Sequence, residues 1–294
     1  MPTPFLDHCG KRPKLLKATG RGGTVFFPEQ ILTWCAELQG ECLEVRAKYN
    51  YSQRLKGHVR DKTQAFSPAS RLRLLKAIAH IDWQAQEKYL LVTLTYPDAR
   101  RESTYRERTQ HRYLFHRYIE KHLGRKVAVL WRTEWKVRQS GRDVGQLAPH
   151  THLVLFGVPF LDQKKVRLWW RKILEVQGPL ATDVRAANDG IHAARYVAKY
   201  VAKKDDVALD YAAYLNNAPG RPWGFLRKAL IAWQPKEGVR GLEEGVVLMG
   251  RHLARIANPR HRGGGQEGFT IFGPAAKQIF ARIQKSSLDT RAAQ

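Results

Sequence analysis

Two short stretches of the sequence gather residue types that can act on a phosphodiester. In the apolar run PHTHLVLFG at 149–157, His150 and His152 stand two residues apart. A strand projects residues i and i+2 from one face, so the two imidazoles point the same way, a few ångströms apart. Neutral imidazoles paired like this can bind a divalent ion and leave a position for a substrate oxygen. The plainer reading is a polar, solvent-facing strip of a sheet. In HAARYVAKYVAK at 192–203, helical spacing of about 100° per residue places His192, Tyr196, Lys199, Tyr200 and Lys203 within an arc of roughly 100°. A phenol, with a pKa of about 10, is a weak nucleophile at neutral pH. Neighbouring ammonium groups favour the phenolate and neutralise phosphate charge as a transition state forms. The opposite arc holds Ala194, Val197, Ala198, Val201 and Ala202, small residues suited to packing on a sheet. On that pattern the helix buries its small residues and presents phenols and ammonium groups from the other face. Its plainer reading is an amphipathic helix whose Tyr and Lys merely cover a surface.

These residues need elements to hold them. YLLVTLTYP at 89–97 is rich in β-branched residues and stopped by Pro97, a strand pattern. VAVLWRTEWKV at 127–137 reads as a second strand, joined to the His-bearing strand by a long loop that contains Gly141 and Gly145, as in an antiparallel hairpin. A helix start at Ser67, with Leu72, Leu75, Ile78 and Ile81 following at threefold spacing, precedes them. Helices over 104–123, 162–176 and 190–204 and a strand over 182–186 complete a βαββαβα order. That order predicts an α+β fold, a central antiparallel β-sheet flanked by helices. Residues 1–65 read as a basic N-terminal segment, helical from Pro28 through Ile31, Trp34 and Leu38, with a DNA-binding role. Residues 66–235 form the central domain. Residues 236–294 read as a basic extension with a Gly-rich linker at 260–266 and a short tail.

The charge points to the partner. The 294 residues carry 51 Lys and Arg against 26 Asp and Glu, a net charge of +25. Self-repulsion on that scale calls for a polyanion, while 43% hydrophobic residues argue for a folded chain. No run approaches the roughly 18 apolar residues of a membrane span, so a membrane is not expected as a partner. The N-terminal MPTPFLD lacks the cationic start and apolar run of a secretion signal. Cys9, Cys35 and Cys42 form no CxxC pair, against a zinc module and a disulfide framework. A reducing, cytoplasmic setting at nucleic acid is the expectation. No P-loop pattern is present, so a motor would come from elsewhere.

The ordered trio of VTLTYP at 92–97, PHTHLVLFG at 149–157 and YVAKYVAK at 196–203 resembles the HUH endonucleases that initiate rolling-circle replication. It is most similar to the double-tyrosine form of phage A-proteins and of plasmid and filamentous-phage initiators. The tract GRPWGFLRK at 220–228 looks like one that follows the third motif in such proteins. The resemblance runs from about Ser67 to Trp223 and implies a palm like that of an RNA-recognition motif. It implies His150 and His152 as metal ligands for Mg²⁺ or Mn²⁺, with Glu134 in WRTEWKV as the third; an ion pair with a neighbouring Arg is the other reading of Glu134. It implies Tyr196 and Tyr200 as nucleophiles, each able to form a 5′-phosphotyrosine and free a 3′-OH primer. Lys199 and Lys203 would steady phosphate or activate a phenol, and His192, Arg195 and Lys204 would contact DNA. The partners implied are single-stranded and origin DNA and a host helicase in trans.

Rival readings fit less of the sequence. A relaxase of the same superfamily places its tyrosine before the His motif, whereas here it follows. A double-tyrosine transposase carries a cysteine-rich zinc module that three scattered cysteines cannot build. A non-catalytic nucleic-acid-binding protein accounts for the charge and aromatics but not for a His pair on an apolar strand.

Overall fold

The chain takes the βαββαβα order in its central part, and strand pairing shows how that order is assembled. A computed structural model describes residues 29–50, 66–85, 88–97, 103–137, 144–145, 147–178, 180–187, 189–202, 221–258 and 268–292. In chain order the elements are β1 (Glu29–Gln39), β2 (Cys42–Asn50), α1 (Pro68–His80), β3 (Tyr89–Thr95), α2 (Tyr105–Leu123), β4 (Val129–Val137) and β5 (Leu147–Phe156). Then come α3 (Gln163–Leu174), β6 (Thr182–Ala187), α4 (Gly190–Ala202), β7 (Trp223–Leu226), β8 (Lys236–Leu242), α5 (Glu244–Ala257), β9 (Gly268–Phe272) and α6 (Ala275–Ala292). Five strands form one antiparallel sheet in the order β6-β3-β5-β4-β7, with the His-bearing β5 at its centre.

Alternation along these strands sorts side chains onto two faces. Leu90, Val92 and Leu94 of β3, Val129 and Trp131 of β4, and Leu153 and Leu155 of β5 pack under Phe115 and Ile119 of α2 and Val166 and Trp170 of α3. Each such burial contributes about 1.5–3 kcal/mol. On the other face, Tyr89, Leu91, Leu130, Val154 and Phe156 pack against Leu74 and Ile78 of α1 and Ala193 and Val197 of α4. That second face changes character along its length. Beyond Leu91 come Thr93 and Thr95, beyond Leu130 come Arg132 and Glu134, and before Val154 come His152 and His150. One face thus carries an apolar half that anchors two helices and a polar half beneath the middle of α4.

Local signals set the helices. Thr104 and Glu107 form a reciprocal capping box at the start of α2, and Gly124 ends it in the left-handed region at φ 65°. Ser67 caps α1 ahead of Pro68. α4 begins where Gly190 meets Trp83 so closely that a Cβ would lie 1.9 Å from the Trp83 carbonyl oxygen. Only glycine fits there.

The flanks differ from expectation. The helix expected after Pro28 is strand β1. Trp34, Ala36 and Leu38 alternate inward, and the chain turns back through Gly40 at φ 59° into β2, with Gln39 paired to Cys42. The three- and four-residue spacing of Ile31, Trp34 and Leu38 imitates a helix, but a run this short closed by a glycine turn pairs as a hairpin. The tail is not short either: it contains β9 and the 18-residue helix α6. The N- and C-terminal flanks join in one four-stranded antiparallel sheet, β8-β1-β2-β9, with α5 and α6 packed on one side through Val247, Ala254, Ile279, Phe280 and Ile283. The hairpin abuts α1, where Lys76 pairs with Glu44 at 2.9 Å. Residues 1–28 and the Gly-rich stretch at 260–266 lie outside the described residues.

Candidate active site

Strand register assembles the site in two rows. Across the sheet, Thr93 of β3 lies opposite His152 of β5, which lies opposite Arg132 of β4. One step along, Thr95 faces His150, which faces Glu134. Both threonines meet the imidazoles opposite them: Thr93 Oγ1 is 3.1 Å from His152 Nδ1, and Thr95 Oγ1 is 2.9 Å from His150 Nδ1. The Thr95 carbonyl in turn accepts a hydrogen bond from Trp170 Nε1 at 2.9 Å, which ties this end of β3 to the core below.

Glu134 is buried among one imidazole and two cations. Its Oε1 lies 2.9 Å from His152 Nε2 and 3.1 Å from Lys136 Nζ, and its Oε2 lies 3.6 Å from Arg132. Burial alone would raise its pKa, but the His152 hydrogen bond and the Lys136 ammonium outweigh it and hold the carboxyl well below the usual carboxylate range. For His152 burial dominates over the Glu134 carboxylate and lowers its pKa, so the ring is neutral at pH 7.

Tyr196 is delivered to this patch by α4. Its Oη lies 3.2 Å from Thr93 Oγ1 and 3.3 Å from His152 Nδ1, and its ring meets the His152 ring edge-on with centroids 6.2 Å apart. The helix is rotated from the expected phase. Among its described side chains Ala193 and Val197, not Ala198, are the buried ones, and Tyr196 lies at the margin of that buried line. The hydroxyl therefore points down onto the sheet rather than away from it. A cleft of about 540 Å³ opens above, lined by Lys136, His150, Asp183, Arg185, His192, Arg195 and Lys199 besides Thr93, His152 and Tyr196.

Of the residues expected from the sequence, His150, His152, Glu134 and Tyr196 are brought together, and His192, Arg195 and Lys199 are exposed along the cleft wall. Tyr200 lies one helical turn beyond Tyr196, with its side chain outside the described residues, as are Lys203 and Lys204 entirely. Sequence patterns do not single out Thr93, Thr95, Lys136, Asp183 or Arg185. The i, i+2 spacing of the threonines in VTLT carries a signal that they share a face, but only register shows which face and which imidazoles.

The donor types suit a divalent ion. His152 Nε2 and Glu134 Oε1 stand 2.9 Å apart, close to the separation of about 3 Å between adjacent donors around an ion with bonds of about 2.1 Å. The ring nitrogens facing toward β3 are oriented by threonines, as the outer-layer partners of a metal-binding His are. Among the described residues, no group of three or more His, Cys, Asp or Glu side chains is arranged to hold a metal ion. The fit is therefore one of donor chemistry and of the His152–Glu134 pair, with His150 directly across from Glu134 in its own row. No helix among the described residues is long and apolar enough to cross a membrane.

No curated protein and no solved structure matches the chain. Residues 89–205, less than half of the chain, match the model of the family described as replication-associated protein ORF2/G2P, and that stretch holds every residue of the cleft from Thr93 to Lys199.

Proposed function

We propose that this chain is a rolling-circle replication initiator that nicks and rejoins single-stranded origin DNA through a tyrosine. The observation that carries the reading is the position of Tyr196 Oη, held between Thr93 Oγ1 and His152 Nδ1 at the floor of a cleft with Lys136, Arg185, Arg195 and Lys199 on its walls. A weak nucleophile needs a fixed line of attack and relief of negative charge, and this arrangement offers both. The match to a replication-associated family supports the biological setting.

In this reading the strand lies along the cleft with its scissile phosphate over Tyr196. The cleft cations neutralise the phosphate oxygens. The phenol gives up its proton as its oxygen bonds to phosphorus, the bond to the 3′-oxygen breaks, and that oxygen leaves protonated as a 3′-OH. The 5′-phosphotyrosine conserves the phosphodiester energy, so rejoining requires no ATP. Thr93 Oγ1 and His152 Nδ1 contact the phenol oxygen and orient it. Mg²⁺ or Mn²⁺ held by Glu134, His152 and His150 would polarise the phosphate when bound. Tyr200, one turn along α4, would perform the second transfer, and a host helicase would unwind the duplex ahead of the freed primer.

The test is incubation of the purified protein with end-labelled single-stranded oligonucleotides tiled across its own replicon, with Mg²⁺ or Mn²⁺. The expected result is one cleaved position and an SDS-resistant protein–DNA adduct, both lost in the Tyr196→Phe, Tyr200→Phe double variant. Cleavage by the double variant at the wild-type rate would overturn the tyrosine assignment. DNA binding without cleavage or adduct by the wild type would leave only a nucleic-acid-binding protein.

A further inference from the structure

A second concentration of positive charge lies at the other end of the same sheet. Two neighbouring cavities of about 490 and 580 Å³ are both lined by Arg125 and Lys126, which makes the α2–β4 connection a grooved surface with two arms. Lys88 lines one arm, and Arg117 and Lys121 line the other. All five cations are exposed. The acid in the lining, Glu120, is bonded through both carboxylate oxygens to Arg227, at 3.0 and 3.1 Å, and lies 3.8 Å from Lys126. One carboxylate, already engaged by Arg227, offsets little of that charge. Helix-end complementarity explains Lys121 in the last turn of α2, but Lys88, Arg125 and Lys126 lie beyond that helix.

The groove is also built for more than point charges. Arg125 is held in place by a hydrogen bond from its guanidinium to the Gly157 carbonyl at the end of β5. Two exposed rings occur on the adjoining segments: Tyr113, whose hydroxyl accepts from Arg117 at 3.4 Å, and Phe160, 71% exposed, next in sequence to the groove-lining Pro159. Cations that track a backbone, interleaved with aromatic surfaces on which bases can stack, are the recognition chemistry of single-stranded nucleic acid. From Thr93 and His152, the groups beneath Tyr196, to Tyr89 and Phe156 the strands run four residues, which at about 3.3 Å each separates this groove from the Tyr196 site by about 13 Å.

We infer that this groove is a second binding site for single-stranded DNA, distinct from the cleft that holds the scissile phosphate. The inference deepens the reading of the chain as a strand-nicking initiator. One segment of strand is held at the far end of the sheet while another is presented to Tyr196, which would keep a nicked strand on the protein between cleavage and rejoining.

The test is fluorescence anisotropy of labelled oligothymidylate of about 30 nucleotides, long enough to exceed a single site, titrated over a range of NaCl without divalent ion. Two groove variants of the full chain are compared with the wild type: Lys88→Glu, Arg125→Glu, Lys126→Glu, and the milder Lys88→Gln, Lys121→Gln, Lys126→Gln. The milder set leaves the Arg125–Gly157 bond intact, so it remains informative if charge reversal impairs folding. Losing three phosphate contacts should lower the slope of log K against log salt by about 2 and weaken binding about tenfold or more. Unchanged affinity in a folded groove variant overturns the inference, and so does weaker binding with an unchanged salt slope. Neither readout depends on nicking. A normal Tyr196 adduct with unaltered binding in the groove variants would sink this inference alone, whereas loss of binding in the groove variants without any adduct in the wild type would sink the nicking reading alone.

Discussion

Thr93→Val removes one hydroxyl and almost no volume, and it isolates the triangle on which the proposed chemistry depends. Thr93 Oγ1 lies 3.1 Å from His152 Nδ1 and 3.2 Å from Tyr196 Oη, while those two atoms are 3.3 Å from each other. Each hydrogen bond contributes about 0.5–1.5 kcal/mol net, so losing two bounds the effect at about 1–3 kcal/mol. If the whole of it is felt in the transition state, the nicking rate falls about 5- to 150-fold. The direct contact between Tyr196 and His152 survives the substitution, which pulls the expectation toward the lower end, about tenfold. The assay is single-turnover adduct formation with saturating oligonucleotide, in parallel with anisotropy to measure binding. Because the hydroxyl orients protein groups, kcat should fall with KM changed by less than about twofold. Thr93→Ser retains the oxygen and should recover most of the rate. A Thr93→Val protein that forms adduct at the wild-type rate would refute the idea that this hydroxyl positions the nucleophile.

Glu134→Gln should abolish Mg²⁺- or Mn²⁺-stimulated nicking. It should also lower stability by about 2–4 kcal/mol, because it leaves the buried Arg132 and the neighbouring Lys136 without their carboxylate; metal-stimulated activity retained in a folded variant would remove Glu134 from the ligand set. Gly190→Ala should destabilise the fold by about 1–3 kcal/mol and slow adduct formation, since the new Cβ collides with the Trp83 carbonyl and shifts the start of the helix that carries Tyr196; thermal melting and single-turnover rates check both. Glu120→Gln should cost about 1–3 kcal/mol in denaturant titration through loss of the charged, two-oxygen pairing with Arg227, while the remaining amide oxygen can still accept from Val127. The Arg227 hydrogen bonds, against the opposing effect of burial, hold the Glu120 carboxyl at about 2, below its ordinary 4.5. Its stabilisation is therefore complete above pH 4.5 and lost as pH falls toward 2, so the gap in Tm between wild type and Glu120→Gln should close over that window. A gap that stays constant would show that the charge of Glu120 does not carry the effect.

The parts of the site that lie on one element were legible in the sequence, and those created between elements were not. His150 and His152 could be placed on a common face because the strand repeat alone decides it. Tyr196 could be placed on a helix, but its phase against the sheet depends on which small residues dock. Ala193 lies close in angle to Tyr196, and spacing alone does not mark it as a docking residue. Ala193 and Val197 take that role, and they turn the phenol inward. The same limit hid the four-stranded sheet, whose strands come from opposite ends of the chain and whose first member, β1, imitates helical spacing over too few residues to decide between patterns.

Register supplies what periodicity lacks. Once β3 is paired antiparallel to β5 with Thr93 opposite His152, Thr95 must meet His150, because antiparallel strands step in opposite directions. Pairing β4 with Glu134 opposite His150 then fixes Arg132 beside His152. A slip of one residue in either pairing would turn the threonines or the carboxylate to the apolar face, among residues such as Val92, Leu94 and Leu153. The apolar packing of α2 and α3 on that face therefore does more than stabilise the domain: by forbidding the slip, it keeps the two hydroxyls, two imidazoles and one carboxylate under Tyr196.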